Sequence, residues 1–267
     1  MKSSLLRLLY SVGLLLPVFR AVEFMRALGG ENGADRPDGL PLPPPELRVR
    51  VAGTADIAWF LEGGRLSEES IRAALERAGA PLQSHRAILD FGCGCGRVLR
   101  RWRNLDGRLC GTDYSEPLVN WCRSNLPFAE VNVNALKPPL RYSDASFDLV
   151  YAFSVFTHLP VEMQFAWRDE LRRVARPGGY LLLSLHGGAY VEQLTYEERS
   201  VYERGGCVVR WPRAAGANLC STFHSPAFVR DHIADGWELL EHVPRGALGC
   251  PEQDLILLRR PQITTAT

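Results

Sequence analysis

The sequence predicts an α/β protein with a doubly wound, mostly parallel sheet. Between residues 86 and 185, apolar runs of strand length alternate with segments of helical periodicity. Five strand-like segments in order, with helices between them, favour a parallel sheet covered on both faces. Two later segments, 238–243 and 255–259, predict a closing antiparallel hairpin and bring the expected total to seven strands. With 267 residues, 46% of them hydrophobic, the chain can bury a substantial core.

A glycine-rich turn follows the first predicted strand. The apolar run 87–89 ends at Asp90, and Gly92, Gly94 and Gly96 alternate with other residues directly after it. Residues 97–102 then predict the start of a helix. Such a turn lets backbone N–H groups approach a ligand that side chains would keep away. The dinucleotide pattern G-x-G-x-x-G is not met, which argues against a nicotinamide-dependent oxidoreductase.

An aspartate closes the second predicted strand, 108–112. Asp113 lies 21 positions after Gly92, close to the spacing of about 20 expected for a carboxylate that accepts hydrogen bonds from ribose hydroxyls. Tyr114 follows, and its ring could equally lie on a nucleobase or pack inside a turn. The other predicted elements are a third strand at 128–132, a fourth at 146–153, a helix at 164–174, a turn at 176–179 and a fifth strand at 180–185.

These motifs resemble those of the class I S-adenosylmethionine-dependent methyltransferases. The resemblance rests on the D-x-G-x-G-x-G loop from Asp90 to Gly96, on Asp113, on the Phe147-Asp148 pair that opens strand four, and on the L-R-R-V-x-R-P-G-G run from Leu171. It covers residues 86–185 closely and 238–259 by topology. The resemblance implies a Rossmann-like fold, S-adenosyl-L-methionine as cofactor, and the cofactor-binding residues Asp90, Phe91, Gly92, Cys93, Gly94, Asp113, Tyr114, Asn134, Ala135, Leu136 and Phe153. Asn134 stands where the family more often has an aspartate on the adenine amino group.

Three histidines are candidates for a general base. Ligands of open α/β sheets bind beyond the carboxyl ends of the strands. His158 follows strand four, His186 follows strand five, and His224 lies in the segment after strand five. Each is a candidate catalytic residue because imidazole titrates near neutral pH, and each could equally be a hydrogen-bonded structural histidine.

The resemblance implies methyl transfer to a small-molecule, lipid or saccharide acceptor. The Phe153-Ser154-Val155-Phe156 segment differs from the [D/N]-P-P-[Y/F] tetrad of methyltransferases that act on nucleic-acid amino groups. The net charge of +1 also gives no reason to expect a nucleic-acid partner. No metal is expected, because Cys93-x-Cys95 lacks a second cysteine pair at zinc spacing. The alternative is a module that binds the cofactor without transferring its methyl group.

The predicted organisation has four parts. An apolar N-terminal helix occupies 1–28, a Pro/Gly-rich linker 29–47, the methyltransferase domain 48–260 and a tail 261–267. Within the domain, a helix capped by Ser67 is expected to stop at Gly79, and Trp59 and Phe60 are expected near the pocket mouth or in the core. Residues 186–235 form an insert whose position predicts a lid or an acceptor-recognition element.

The N-terminal segment leaves three interpretations open. The uncharged stretch from Leu8 to Phe19 is 12 residues long, short of the roughly 20 that span a bilayer. The segment would pack on the domain or on another copy, lie on a membrane surface, or direct export. The seven scattered cysteines fit a reduced compartment, so we expect a cytoplasmic protein, with membrane association through this helix left open.

Overall fold

A computed structural model of the protein describes residues 2–31, 38–250 and 252–262, and it gives the side chains from residue 5 onward. The helices are α1 (Lys2–Ser11), α2 (Leu15–Leu28), α3 (Pro45–Ala52), α4 (Ile57–Arg77), α5 (Glu116–Asn125), α6 (Val161–Val174), α7 (Tyr196–Glu203) and α8 (Pro226–Phe228). The strands are β1 (Ala87–Phe91), β2 (Arg108–Asp113), β3 (Glu130–Val133), β4 (Phe147–Ala152), β5 (Ala175–His186), β6 (Cys207–Arg210), β7 (Ser221–His224), β8 (Glu238–Val243) and β9 (Gln253–Arg259).

The described strands form one sheet of nine, in the order β3-β2-β1-β4-β5-β7-β6, with the β8–β9 hairpin joined to β5 through β9. Strands β1 to β5 are mutually parallel, and β9 runs antiparallel to β5. The doubly wound, mostly parallel fold is therefore confirmed, whereas the count of seven strands is wrong. The two additional strands, β6 and β7, come from the insert, and at four residues each they are too short to show a periodicity in the sequence.

The insert joins the sheet beside the end of β4. Leu183 of β5 pairs with Ala152 of β4 on one side and with Ile256 of β9 on the other. Three residues later, β5 still pairs with β9, but its other neighbour is Phe223 of β7. Because a strand has only two edges, β7 continues the edge that β4 leaves. The insert is thus placed directly beyond the carboxyl end of β4.

Two hydrophobic cores lie on the two faces of the sheet, because successive strand side chains point to opposite faces. In β1, Ile88 packs with the core that contains α4 and α5, while Leu89 packs with the core that contains α6. Trp102 and Trp167 are fully buried, one in each core. Helices therefore cover both faces, as a doubly wound sheet requires.

The segment after the glycine turn is not an α-helix but a short 3-10 turn, Leu99–Trp102. Two arginines of this segment form buried contacts. Arg97 donates a 2.7 Å hydrogen bond to the carbonyl of Gly249, and Arg100 donates two to the carboxylate of Asp38, at 2.6 and 2.7 Å. Arg100 is only 2% exposed. These inward-pointing side chains tie the turn to the N-terminal segment and to the β8–β9 loop.

Two other local predictions also need correction. The helix before β1 begins at Ile57, capped by Asp56, whose carboxylate accepts from the Trp59 amide at 2.6 Å. Ser67 lies inside that helix, where its hydroxyl donates to the Gly63 carbonyl four residues earlier. The predicted turn at 176–179 is an irregular part of β5, where the register with β4 shifts.

The N-terminal segment contains two helices instead of one. In the described part of the chain, no single helix is long and apolar enough to cross a membrane, although α1 and α2 together pass that test as a pair bent by 114°. The bend falls at Gly13, whose φ of +77° is a left-handed conformation that favours glycine. Helix α3 begins inside the predicted linker, while residues 32–37 of that linker and 263–267 of the tail lie outside the described residues.

Candidate active site

A cleft lies beyond the carboxyl ends of β1, β2 and β4. Its empty volume, which includes space open to solvent, is about 1000 Å³. The predicted residues that line it are Asp90, Phe91, Gly92, Cys93, Gly94, Asp113, Tyr114, Asn134, Leu136, Phe153 and His158. The cleft thus brings the glycine turn, the predicted ribose aspartate and one candidate base to a single cavity.

The Asp113 carboxylate fixes the glycine turn in place. Its Oδ2 accepts a 3.0 Å hydrogen bond from the Gly94 amide, and its Oδ1 accepts a 2.8 Å bond from the Ser115 amide. Burial raises the pKa of Asp113, although the two amides and the charge of Arg50 oppose this effect. A carboxylate oxygen has a second lone pair, so Asp113 can still accept from ribose hydroxyls. The sequence predicted the ribose role alone and not this structural one.

The glycine turn has no room for side chains. Gly92 and Gly94 have φ of +78° and +55°, and a Cβ on them would come within 2.3 Å of Val155 and 2.7 Å of Val51. A side chain at position 94 would therefore clash with α3, whereas the sequence suggested that it would clash with the ligand. One side of the turn packs against other parts of the protein. Its other side faces the cleft, where the backbone can contact a ligand.

Asp90 is a buried acid at the base of the cleft. It is 4% exposed, and burial raises its pKa from 3.8 to about 7, while a hydrogen bond from Tyr151 opposes the rise. Tyr151 itself accepts a 2.8 Å bond from the indole of Trp102. The folded protein therefore holds a proton on Asp90 at pH values where the unfolded chain has released it.

This protonation predicts a pH-dependent stability. Because the pKa of Asp90 is higher in the folded state, its favourable contribution is complete below about pH 4 and is lost as the pH rises through 7. An asparagine side chain does not titrate, so Asp90→Asn should gain stability relative to wild type by about 2 kcal/mol between pH 5 and pH 8. Urea unfolding of both proteins at the two pH values measures this difference. A stability difference that is the same at both pH values would contradict a raised pKa.

Polar and apolar side chains line the wall of the cleft at the ends of β2 and β3, next to Asp113. The hydroxyl of Tyr114 donates to the Gly216 carbonyl at 2.8 Å, which holds the ring in the wall. Asn134 is bonded to the Thr112 hydroxyl and to the Ala135 carbonyl, both at 2.7 Å. Leu136 is in the lining, but Ala135, a predicted cofactor residue, is not. Ala135 contributes only its carbonyl, as an anchor for Asn134.

His158 is the only one of the three candidate bases that lines the cleft. Its Nδ1 lies 2.7 Å from the Cys220 carbonyl, which can only accept, so Nδ1 carries the proton. Burial lowers the pKa of His158, and the Cys220 carbonyl opposes this. The ring is therefore neutral near pH 7, and its Nε2 presents a lone pair.

His186 and His224 do not line the cleft, contrary to their prediction as candidate bases. His186 is covered by Tyr190, with ring centroids 4.3 Å apart, and burial lowers its pKa to about 3. His224 is 1% exposed, donates from Nε2 to Gln164 Oε1 at 2.9 Å, and also has a pKa lowered to about 3 by burial. The rule that ligands lie at strand ends found the correct edge, but Tyr190 and Phe223 pack against the His186 ring, and His224 is itself a buried residue of β7.

A closed set of hydrogen bonds positions the turn that leads from β4 to His158. The Ser154 amide donates to the Ser184 hydroxyl at 2.6 Å, that hydroxyl donates to Gln253 Oε1 at 2.7 Å, and Gln253 Nε2 donates to the Ser154 hydroxyl at 3.0 Å. Ser154 has a φ of +58°, which is uncommon for a residue other than glycine and often marks functional turns. No sequence motif marks this network, because its members are distant along the chain.

The insert and α3 complete the cleft with residues that the sequence did not predict. Gly216 donates its amide to the His158 carbonyl at 2.8 Å, and Asn218 Nδ2 donates to the Arg50 carbonyl at 2.9 Å. Arg50 and its neighbour Val51 come from α3, so an element before β1 does lie over the cleft. The two residues expected there do not line it: Phe60 is fully buried in the core, and Trp59 packs near the Arg97 guanidinium.

Comparison with known proteins identifies the domain. Residues 89–183 match a family described as "Methyltransferase domain". With the fold and the glycine turn described above, this match identifies residues 89–183 as a class I S-adenosylmethionine-dependent methyltransferase domain, a class whose cofactor is S-adenosyl-L-methionine.

The individual relatives resemble only part of the chain. A probable S-adenosylmethionine-dependent methyltransferase of Mycolicibacterium smegmatis is 37% identical over 100 residues, 37% of either chain. The 27-O-demethylrifamycin SV methyltransferase of Amycolatopsis mediterranei is 32% identical over 134 residues, 47% of this chain and 48% of its own. The chain thus spans less than half the length of these relatives. A solved glycopeptide N-methyltransferase with sinefungin shares the fold, with a TM-score of 0.52 and 15% identity over 73% of this chain and 87% of its own.

The cleft suits this cofactor. The cofactor carries a sulfonium, an ammonium and a carboxylate, together with an adenosine. Asp113 can accept hydrogen bonds from the ribose hydroxyls, the buried carboxyl of Asp90 can accept from the ammonium, and the free side of the glycine turn offers backbone to the amino-acid portion. Asn134 and Leu136, which line the wall next to Asp113, can contact the adenine.

Proposed function

We propose that this protein transfers the methyl group of S-adenosylmethionine to a nucleophile on a small-molecule, lipid or saccharide acceptor, without a metal ion. One observation carries the proposal: His158, with a free Nε2, lines the same cleft as the glycine turn and Asp113. When bound, the cofactor supplies an electrophilic methyl group whose thioether is a good leaving group. The Amycolatopsis relative, whose name describes a small-molecule methyltransferase, supports this acceptor class.

The chain's own residues would orient the reactants and accept a proton. Orientation alone can supply a large part of the rate enhancement of a bimolecular transfer. For a hydroxyl acceptor, His158 Nε2 would take the hydroxyl proton as the oxygen–methyl bond forms and the sulfur–methyl bond breaks. The hydrogen bond from Nδ1–H to Cys220 fixes the tautomer that this step needs.

We predict that the transfer needs no metal ion, and the arrangement of the side chains that could coordinate one supports this prediction. Among the residues that the structure describes, no group of three or more His, Cys, Asp or Glu side chains is arranged to hold a metal ion. A chelator such as EDTA should therefore leave turnover unchanged.

Two successive measurements test the proposal. Titration calorimetry with S-adenosylmethionine should first show binding to the purified protein. Methyl transfer from labelled cofactor should then be measured on pools of hydroxyl, carboxyl and amine acceptors, with and without EDTA. Binding with no transfer to any pool would favour the non-catalytic binding module, and absence of binding would overturn the assignment of the cleft.

A further inference from the structure

The two N-terminal helices expose an unusual amount of apolar surface. Ten large hydrophobic side chains of α1, α2 and their connection are at least 41% exposed: Leu5, Leu6, Leu8, Val12, Leu14, Val18, Val22, Phe24, Met25 and Leu28. Met25 and Leu28 are the most exposed of these, at 70% each. The other large hydrophobics exposed in the described residues are fewer and scattered over separate elements and loops. An apolar surface of this extent on one segment of the chain marks an interaction site.

The exposed charges on this N-terminal surface are basic. Arg7 and Arg26 are exposed, and Arg20 is partly exposed. The one acidic residue of the two helices, Glu23, is 8% exposed and is neutralised by Arg20 at 2.6 Å. Apolar side chains flanked by arginines, without an exposed acid, are the pattern of helices that lie in the interface of an anionic bilayer.

We propose that α1 and α2 bind the surface of an anionic lipid bilayer, with their exposed apolar side chains in the headgroup region. The 114° bend supports this orientation, because neither helix alone can cross a bilayer and a bent pair can lie flat along it. The arginines would contact the lipid phosphates.

A second copy of the chain fits this surface less well. The centres of protein–protein interfaces are depleted in charged residues. Here the exposed Arg7 and Arg26 lie on the same two helices as the exposed apolar side chains. Two copies packed through these helices would bring like charges together, whereas lipid phosphates neutralise them.

The bilayer-binding helices also contact the wall of the cleft. Tyr10 of α1 packs edge-on against Trp211 of the insert, with ring centroids 5.0 Å apart, and its hydroxyl accepts from the Arg213 amide at 3.2 Å. Arg20 of α2 lies close enough to Tyr114 to oppose the rise that burial causes in the pKa of that tyrosine. Bound to a bilayer, the protein would therefore hold the cleft near the lipid surface. This positional consequence rests on the proposed function, but lipid binding itself does not.

Vesicle flotation of the full chain tests the proposal. Wild type should float with vesicles made of equal parts phosphatidylcholine and phosphatidylserine, and more weakly with phosphatidylcholine alone. The double variant Phe24→Asp/Met25→Asp should lose about tenfold or more in partitioning, because two large apolar contacts are replaced by charges that the anionic surface repels. Arg26→Glu should weaken binding to the anionic vesicles more than to the neutral ones.

The control is Leu248→Asp, which introduces an aspartate at a side chain that is 55% exposed in the loop between β8 and β9, outside the two helices. It should float like wild type. Equal flotation of the double variant and wild type, or no flotation of wild type, would overturn the proposal. Light scattering without vesicles is a second measurement. If the wild type does not float and is a dimer, and the double variant is a monomer, the surface binds a second copy of the chain. Calorimetry with S-adenosylmethionine, which does not depend on lipid, tests the proposed function separately.

Discussion

Replacing His158 by alanine should lower turnover by about 100-fold or more on a hydroxyl acceptor, the usual size of a general-base effect, while cofactor affinity stays nearly unchanged. The reason is that His158 is the candidate base that lines the cleft, with Nε2 free and Nδ1 held by Cys220. Steady-state kinetics and titration calorimetry measure the two quantities.

Alanine also removes the bond that holds Cys220, so a second variant separates the chemical from the structural role. Asparagine places an N–H donor at the position of Nδ1, facing the Cys220 carbonyl, but has no basic nitrogen. His158→Asn should therefore lose as much turnover as His158→Ala if the base model holds. His186→Ala and His224→Ala are the comparison pair and should stay within a few-fold of wild type, because neither ring lines the cleft. Turnover within a few-fold of wild type in all of these variants would mean that alignment alone drives the transfer, as suits an acceptor that arrives already nucleophilic.

Asp113→Ala should weaken cofactor binding by more than tenfold, about 1.5–3 kcal/mol, since it removes charge-assisted hydrogen bonds to the ribose. It should also destabilise the protein, because the Gly94 and Ser115 amides lose their acceptor. Calorimetry gives the affinity and urea unfolding gives the stability.

Asp113→Asn is the matched variant. It keeps one carbonyl oxygen for the backbone amides but loses the charge, so we expect affinity between those of wild type and Asp113→Ala, with a smaller loss of stability. An Asp113→Ala protein that is well folded and binds the cofactor as tightly as wild type would remove Asp113 from the site.

Local motifs predicted that the glycine turn and Asp113 line one site, because these residues follow one another closely along the chain. The strand, the glycine turn and Asp113 lie within a single strand–turn–helix–strand unit, and the placement of Asp113 beside Gly94 follows from the parallel pairing of β1 with β2. The same local reasoning failed after Gly96, because it predicted a helix start where the structure has a 3-10 turn, held in place by Arg97 and Arg100. Their partners, Gly249 and Asp38, are remote in sequence, and no periodicity reveals such contacts.

The residues around His158 were harder to predict, because they also come from parts of the chain that are remote in sequence. The strand-end rule located His158, but the residues around it come from α3, from the insert and from β9. Arg50 and Gly216 belong to no sequence motif. They line the cleft because the fold brings α3 and the insert next to His158. His186 looked equivalent to His158 because both follow a strand, and only the position of β7 shows that one ring is covered and the other is not.

The junction between the insert and the sheet bears on how such a protein can diversify. Among the described residues, β7 pairs with β5 at a single position, His186 with Phe223, while β9 pairs with β5 along seven positions. The match to the methyltransferase family ends at residue 183, where β4 makes its last pairing with β5. Residues of the insert can therefore be lengthened, shortened or exchanged at little cost to the sheet that holds the glycine turn. Evolution could in this way change the substrate of the protein while leaving its methyl donor the same.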